Sequence, residues 1–220
     1  MKLSKETLAL LKNFAGINSN LLLKDGGKLS TISAQKNIMA SASVTESLPS
    51  EFGIYDLNEF LGALSLFDDP ELTFTDKFVT MKEGAAHIKY YAADKSVLSY
   101  PQKDITFPSS DIDFNLPSAT LTQIIRTASV LRAPDLSIVG KKGKVTLVVG
   151  DRKNPTANTF DLEVGDTEST FDVAMKVENL KMIPGTYDVE ISSKGIAHFK
   201  NTKENIQYWV AIESTSSFGA

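Results

Sequence analysis

Residues 2–15 read KLSKETLALLKNFA, and residues 118–131 read SATLTQIIRTASVL. Both stretches space their apolar residues for one face of a helix. At about 100° per residue, Leu3, Leu8, Leu10, Leu11, Phe14 and the following Ile17 fall on one half of the first helix, while Lys2, Lys5 and Lys12 share a narrow stripe opposite. That stripe holds three positive charges and no carboxylate. On the second helix Leu121, Ile124, Ile125, Ala128 and Leu131 form the apolar face, and Gln123, Arg126 and Thr127 lie on the other side. Each helix therefore has one face for a core and one that tolerates a polyanion.

The segments downstream of the two helices point to a duplication. After the first come strand-like runs at Asn20–Lys24, Leu29–Ala34 and Asn37–Val44, with Asp25-Gly26-Gly27 as a hairpin signal between the first two. Phe52-Gly53-Ile54-Tyr55 then leads into a short amphipathic helix over Asp56–Leu66, stopped by Asp68-Asp69-Pro70. Strand-like runs at Glu71–Thr75, Phe78–Lys82 and Ala86–Ala92 complete the first series. The second half repeats the order: strands at Asp135–Val139 and Gly143–Val149, then Phe171-Asp172-Val173, a short helix over Lys176–Met182, the breaker Pro184-Gly185, and strands at Thr186–Ile191, Gly195–Lys200 and Asn205–Glu213. The shared order of helix, strands, short helix and strands argues for two similar α+β domains. The expected boundaries are 1–93 and 116–220, joined by a connector over 94–115 whose Val97, Leu98, Tyr100, Ile105 and Phe107 would keep it on a surface.

Composition narrows the function. The 220 residues, 42% hydrophobic, suffice for two cores of about 100 residues each. There is no cysteine, which removes disulfides, thiolate metal sites and a cysteine nucleophile and fits a reducing cytoplasm. The opening residues lack an apolar signal-peptide core and read as a folded helix, and no run reaches the ~18 apolar residues of a membrane span. The net charge of -4 divides evenly, with 11 basic and 13 acidic side chains in residues 1–110 and 12 and 14 in the rest. A groove-binding DNA protein is usually basic overall, because phosphate neutralisation supplies most of its affinity. Any contact with nucleic acid is therefore local, or not driven by tight binding.

No catalytic pattern is present. His87 and His198 sit in alternating, strand-like runs without metal-ligand spacing and read as partly exposed strand histidines. Asp111-Ile112-Asp113 has no third carboxylate nearby, as an acidic metal pair would need. Gly140-Lys141-Lys142-Gly143-Lys144 joins two strands, so it reads as a charged hairpin turn instead of a phosphate loop, and no Gly-x-Ser-x-Gly elbow occurs. No enzyme, metal or cofactor is expected; a binding or scaffold role is. The lysine stripe keeps two readings at this point, solvation alone or a surface for a polyanion.

Three segments carry a family resemblance: MKLSKETLALLKNFAGIN from Met1, IYDLNEFLGALSL from Ile54 and NLKMIPGTYDV from Asn179. They resemble the sliding clamps, or DNA polymerase processivity factors, of T-even-type bacteriophages, in order across nearly the whole chain. The resemblance implies two clamp-type domains per chain, helices lining a ring with antiparallel sheets outside, and a homotrimer of six domains around duplex DNA. It implies sequence-independent, topological tethering of the phage DNA polymerase after a clamp loader places the ring. Late-transcription factors are a further implied class of partner, and the host cytoplasm is the implied compartment. By this resemblance Lys5 and Lys12, with Lys2, would face DNA from the matched opening motif. Gln123 and Arg126 would follow by the duplication, and Lys181 from the second short helix. An apolar partner-peptide pocket beneath the connector would be bordered by Ile105, Phe107 and Pro108. The rival expectation is a two-domain, β-rich phage structural or assembly protein that encircles nothing.

Overall fold

A computed structural model describes residues 1–219, and the chain divides into two compact units, Met1–Asp104 and Ile105–Ala220. Unit 1 runs α1 (Lys5–Ala15), β1 (Leu21–Leu23), β2 (Gly26–Ile32), β3 (Ile38–Leu48), β4 (Phe52–Ile54), α2 (Leu57–Leu64), β5 (Glu71–Phe74), β6 (Phe78–Glu83) and β7 (Ala86–Tyr91), then a 3-10 turn at Lys95–Val97. Unit 2 runs β8 (Ile112–Leu116), α3 (Ser118–Leu131), β9 (Asp135–Lys141), β10 (Lys144–Gly150), β11 (Phe160–Asp166) and β12 (Phe171–Lys176). A 3-10 turn at Val177–Asn179 follows, then β13 (Tyr187–Ser192), β14 (Ile196–Asn201), β15 (Ile206–Ala211) and β16 (Ser217–Phe218).

Helix α1 starts at a side-chain cap, whereas α3 follows Pro117 without one. Ser4 caps α1, its hydroxyl accepting from the Thr7 N–H at 3.1 Å. A capping-box glutamate would normally come from the third helical position, which here is Thr7. Glu46 of β3 does that work instead, accepting from the Ser4 N–H and from the Thr7 hydroxyl at 2.7 Å. Helix and strand are thus tied at one point, and Leu11 and Phe14 are buried. In α3, Leu121, Ile124 and Ala128 are buried while Ile125 and Leu131 are half-buried. Arg132 ends that helix in the left-handed region, at φ 53°. Among the described residues no helix is long and apolar enough to cross a membrane.

In unit 1, β1 pairs with β4, β2 with β3, and β5-β6-β7 form a meander. In unit 2, β11-β10-β9-β12-β16 form one sheet, and β8, β13, β14 and β15 pair in succession in another. All these ladders are antiparallel. The charged turn between β9 and β10 is a tight hairpin, with Lys142 at φ 54° and Gly143 at φ 82°, the two positive angles a type I′ turn needs.

Several sequence expectations are corrected. Asp25-Gly26-Gly27 closes no β1–β2 ladder, because β1 pairs with β4; Gly27 is instead required by close approach, since a Cβ there would meet the Val44 carbonyl oxygen at 2.8 Å. Helix α1 begins at Lys5, so Lys2 lies outside it. The stretch Lys176–Met182 is no helix; it ends β12 and makes a single 3-10 turn. Among the described residues the chain thus has three α-helices, not the four expected from two long and two short ones. Ile112–Asn115, assigned to the connector, belong to β8. Strand β11, Phe160–Asp166, adds to the expected strand-like runs; between Val149 and Phe171 the sequence leads to none.

The resembling motifs have structural reasons. Asp56 caps α2 by accepting from the Asn58 and Glu59 N–H groups, and Gly53 is needed because a Cβ would clash with the Ala93 carbonyl oxygen. In NLKMIPGTYDV, Tyr187 donates to the Ile183 carbonyl at 2.7 Å while the Tyr208 hydroxyl accepts from the Ile183 N–H, so two buried tyrosines hold the loop a helix would otherwise fill. Burial pushes the Tyr187 hydroxyl up to about 12.

Partial burial pushes the Glu46 carboxyl upward, but hydrogen bonds from Ser4 and Thr7 outweigh it and hold the group at about 2, against 4.5 ordinarily. A depressed carboxylate stabilises the fold above its unfolded value, and the contribution is lost as pH falls from 4.5 towards 2. Glu46→Gln should therefore cost about 1–2 kcal/mol at neutral pH, discounted for partial exposure, and flatten the acid limb of the stability curve. Denaturant unfolding of both proteins from neutral pH down to the acid limb checks this; equal acid limbs would refute it.

Candidate nucleic-acid interface

On α1 the residues opposite Leu11 and Phe14 are Lys5, Ala9 and Lys12, all exposed. Lys5 and Lys12 are two turns apart, about 10 Å along the axis, and neither is in an ion pair among the described residues. Glu6 is also exposed and lies beside the stripe, in the first turn where the helix dipole favours it. On α3, Gln123 and Arg126 are both exposed one turn apart, and the helix contains no acidic residue. Sequence reasoning omits Arg132, the exposed cation at the left-handed end of α3. Its position one residue past the apolar repeat, where the dipole favours a cation, is the signal that would include it.

Two of the expected residues sit differently. Lys2 pairs with Asp69, whose hydrogen bond raises the lysine's pKa, so this cation is engaged by its own chain and is not on the α1 stripe. Lys181 is exposed in the loop after the 3-10 turn and not on a helix. The structure thus brings together Lys5 with Lys12, and separately Gln123 with Arg126.

The aromatic residue of the expected peptide pocket is already occupied. Phe107 lies 5.3 Å from the His198 ring at 37°, and that imidazole stacks on Trp209 at 5.2 Å and 10°. Ile105 and Pro108 are half-buried beside it in the chain. His198 is buried, contrary to the partly exposed histidine expected, with Nδ1 2.9 Å from Glu190 Oε2 and Nε2 2.9 Å from Gln207 Oε1. Cross-strand neighbours on β13 and β15 fill the space that strand alternation alone leaves open. His87 is exposed. Asp111 accepts from the Ser193 N–H, which lowers its pKa, so this half of the Asp111–Asp113 pair closes a loop. No three metal-ligating side chains gather among the described residues.

Comparisons with known proteins agree across the whole chain. The family described as DNA polymerase processivity factor matches residues 4–100, and that described as gp45 sliding clamp, C terminal, matches residues 113–214. The sliding clamp of Enterobacteria phage T4 is 35% identical over 227 residues, covering 99% of either chain. That of Vibrio phage KVP40 is 31% identical over 222 residues, covering 97% of this chain and 100% of the relative. Among solved structures, the Proliferating Cellular Nuclear Antigen of Entamoeba histolytica superposes with a TM-score of 0.68 at 16% identity, covering 94% of both chains. A DNA polymerase III subunit beta clamp of Bartonella birtlesii gives 0.73 at 11%, covering 98% of this chain and 65% of that one. At such identities these two likenesses speak for the fold alone.

Because Lys5, Lys12 and Arg126 make no ion pair among the described residues and project from exposed helix faces, replacing each by alanine should change unfolding free energy by no more than about 0.5 kcal/mol. Thermal melts of the three single variants test this; a larger loss would mean that these side chains hold the fold.

Proposed function

Because this chain belongs to the sliding-clamp family of DNA polymerase processivity factors, we propose that three copies close head to tail into a ring around duplex DNA. The protein is a sliding clamp of phage DNA replication; the ring stoichiometry, the lining residues and the accessory partners are our reading. The observation that carries the lining is the pair of free helix faces. Lys5 and Lys12 on α1, with Arg126 and Arg132 on α3 beside the neutral Gln123, present cations without carboxylate partners in a chain whose net charge is -4.

The mechanism is topological and needs no chemical step from the clamp. Once the ring encloses the duplex, a bound polymerase cannot leave before the clamp does. Electrostatics then has to attract the phosphates without gripping them. A few lysines and arginines reaching phosphates directly or through water form and break contacts at little cost as the ring moves. A strongly basic bore would instead hold one register. The acidic remainder of the surface discourages nonspecific coating of DNA, so an acidic protein can still handle nucleic acid. In this reading a loader opens the ring at primer–template junctions, late-transcription factors are further partners, and the work takes place in the cytoplasm of the infected bacterium.

Primer extension with the cognate polymerase and loader tests the lining. Lys5→Ala/Lys12→Ala/Arg126→Ala should shorten products several-fold while sedimentation still reports a trimer, and the wild-type clamp should be lost from linear DNA with free ends but retained when the ends are blocked. Unchanged product length would remove these residues from the lining, and equal retention on free and blocked ends would overturn topological tethering.

A further inference from the structure

Strand β16 is short, yet the segment around it covers a longer strand edge. β12 hydrogen-bonds to β9 on one side and to β16 on the other. In the β12–β16 ladder Phe171 stands opposite Phe218 and Asp172 opposite Ser217. Flanking residues extend that cover. The Gly219 N–H donates to the Thr170 carbonyl at 2.7 Å, the Ala174 N–H donates to the Ser216 hydroxyl at 3.0 Å, and the Glu213 N–H donates to the Ala174 carbonyl at 2.7 Å. A turn closed by the Ser216 N–H on the Glu213 carbonyl, at 2.9 Å, lets both of these residues reach Ala174. Residues 213–219 thus run along the outward side of β12 from Thr170 to Ala174.

That side needs a cover. β12 reads FDVAMK, and its Phe171, Val173, Ala174 and Met175 are all buried. A strand of this composition with open N–H and C=O groups is a template for another strand, and proteins block such edges with repelling charge, proline, a bulge or a covering segment. Repulsion is missing here. The two charges of β12, Asp172 and Lys176, have opposite signs and are engaged by Arg152 and Asp135. The covering segment is also shaped for its place, because a Cβ on Gly219 would clash with the Thr170 carbonyl oxygen.

We propose that residues 213–219 are an edge guard, which occupies the outward side of β12 and so keeps it from pairing with β12 of a second copy. The contact it prevents is self-complementary. Antiparallel pairing centred on Ala174 sets Val173 opposite Met175 and Asp172 opposite Lys176, and cross-strand pairs of opposite charge are favourable. Such a contact is two-fold, so it would join one assembled clamp to another instead of closing a ring. The guard belongs to the same chain, and its effective concentration therefore exceeds that of any competing copy. A weak ladder suffices on those terms.

Hydrogen exchange and sedimentation velocity on the full chain test the guard. Ser216→Ala/Gly219→Val should speed exchange of the Ala174 amide at least about tenfold in dilute solution, and at micromolar concentration it should produce species heavier than the wild-type assembly. Adding Asp172→Lys should return the wild-type mass while exchange stays fast, because each Lys176 would then face a cation. Thr215→Ala, exposed in the same crossing, should change neither readout, and melting temperatures of all variants report folding separately. Unchanged exchange at Ala174 would show that the segment guards no edge. Fast exchange without a heavier species, or a heavier species that Asp172→Lys leaves intact, overturns the pairing with a second copy. Each mass is set against that of the wild type, so the outcome is independent of how many chains form the ring.

Discussion

Each long helix has to bury one face against its unit while leaving the other in water, and most of this molecule depends on that division. Leu11 and Phe14 of α1, and Leu121, Ile124 and Ala128 of α3, are committed to the core. Their burial, worth roughly 1.5–3 kcal/mol for each large side chain, fixes how the helices rotate about their axes. Once that rotation is fixed, Lys5, Lys12, Gln123 and Arg126 cannot do otherwise than face outward. The Glu46 carboxylate fixes the end of α1 as well, because one side chain of β3 satisfies both the backbone N–H of the cap and the Thr7 hydroxyl. The exposed face is thus set by the core, and its chemistry is free to serve something else.

That freedom explains how a DNA-handling protein can be acidic overall. Charge in this chain is sorted by place more than by sum. The free face of α3 has a cation and no acid, while acids collect on β11, around Asp68 and Asp69, and in the turns. Lys2 shows the limit of counting charges along a helical wheel: it falls on the right angle of the wheel, but the helix has not begun, and Asp69 takes it.

What was legible in the sequence was what neighbouring residues decide. The two long helices, the capped start of α2 at Asp56, the strand alternation of β6, β7, β13, β14 and β15, and the Lys142-Gly143 turn all rest on contacts a few residues apart, so periodicity and turn chemistry find them. So did the exposure of Lys5, Lys12, Gln123 and Arg126. The failures have the opposite character. Asp25-Gly26-Gly27 has a hairpin's composition, but β1 pairs with β4 and β2 with β3. Lys176–Met182 has a helical spacing, but tyrosines from β13 and β15 hold the following loop open. His198 reads as a surface residue until the Phe107 and Trp209 rings pack against it. In each case a contact from outside the segment itself overrides a local preference.

The same failures bear on why two similar units are not interchangeable. Unit 1 keeps α2, whose polar face is Asn58, Glu59 and Gly62; unit 2 has only a 3-10 turn at the equivalent place, with Lys181 beyond it. Unit 1 offers an edge with lysine on its outer side, and unit 2 an edge with two carboxylates. The two units therefore present different chemistry, and in the proposed ring each head-to-tail contact joins unlike surfaces. In the proposed ring that direction is also what makes its two faces different, so a polymerase bound to one face is held in a single orientation on the DNA.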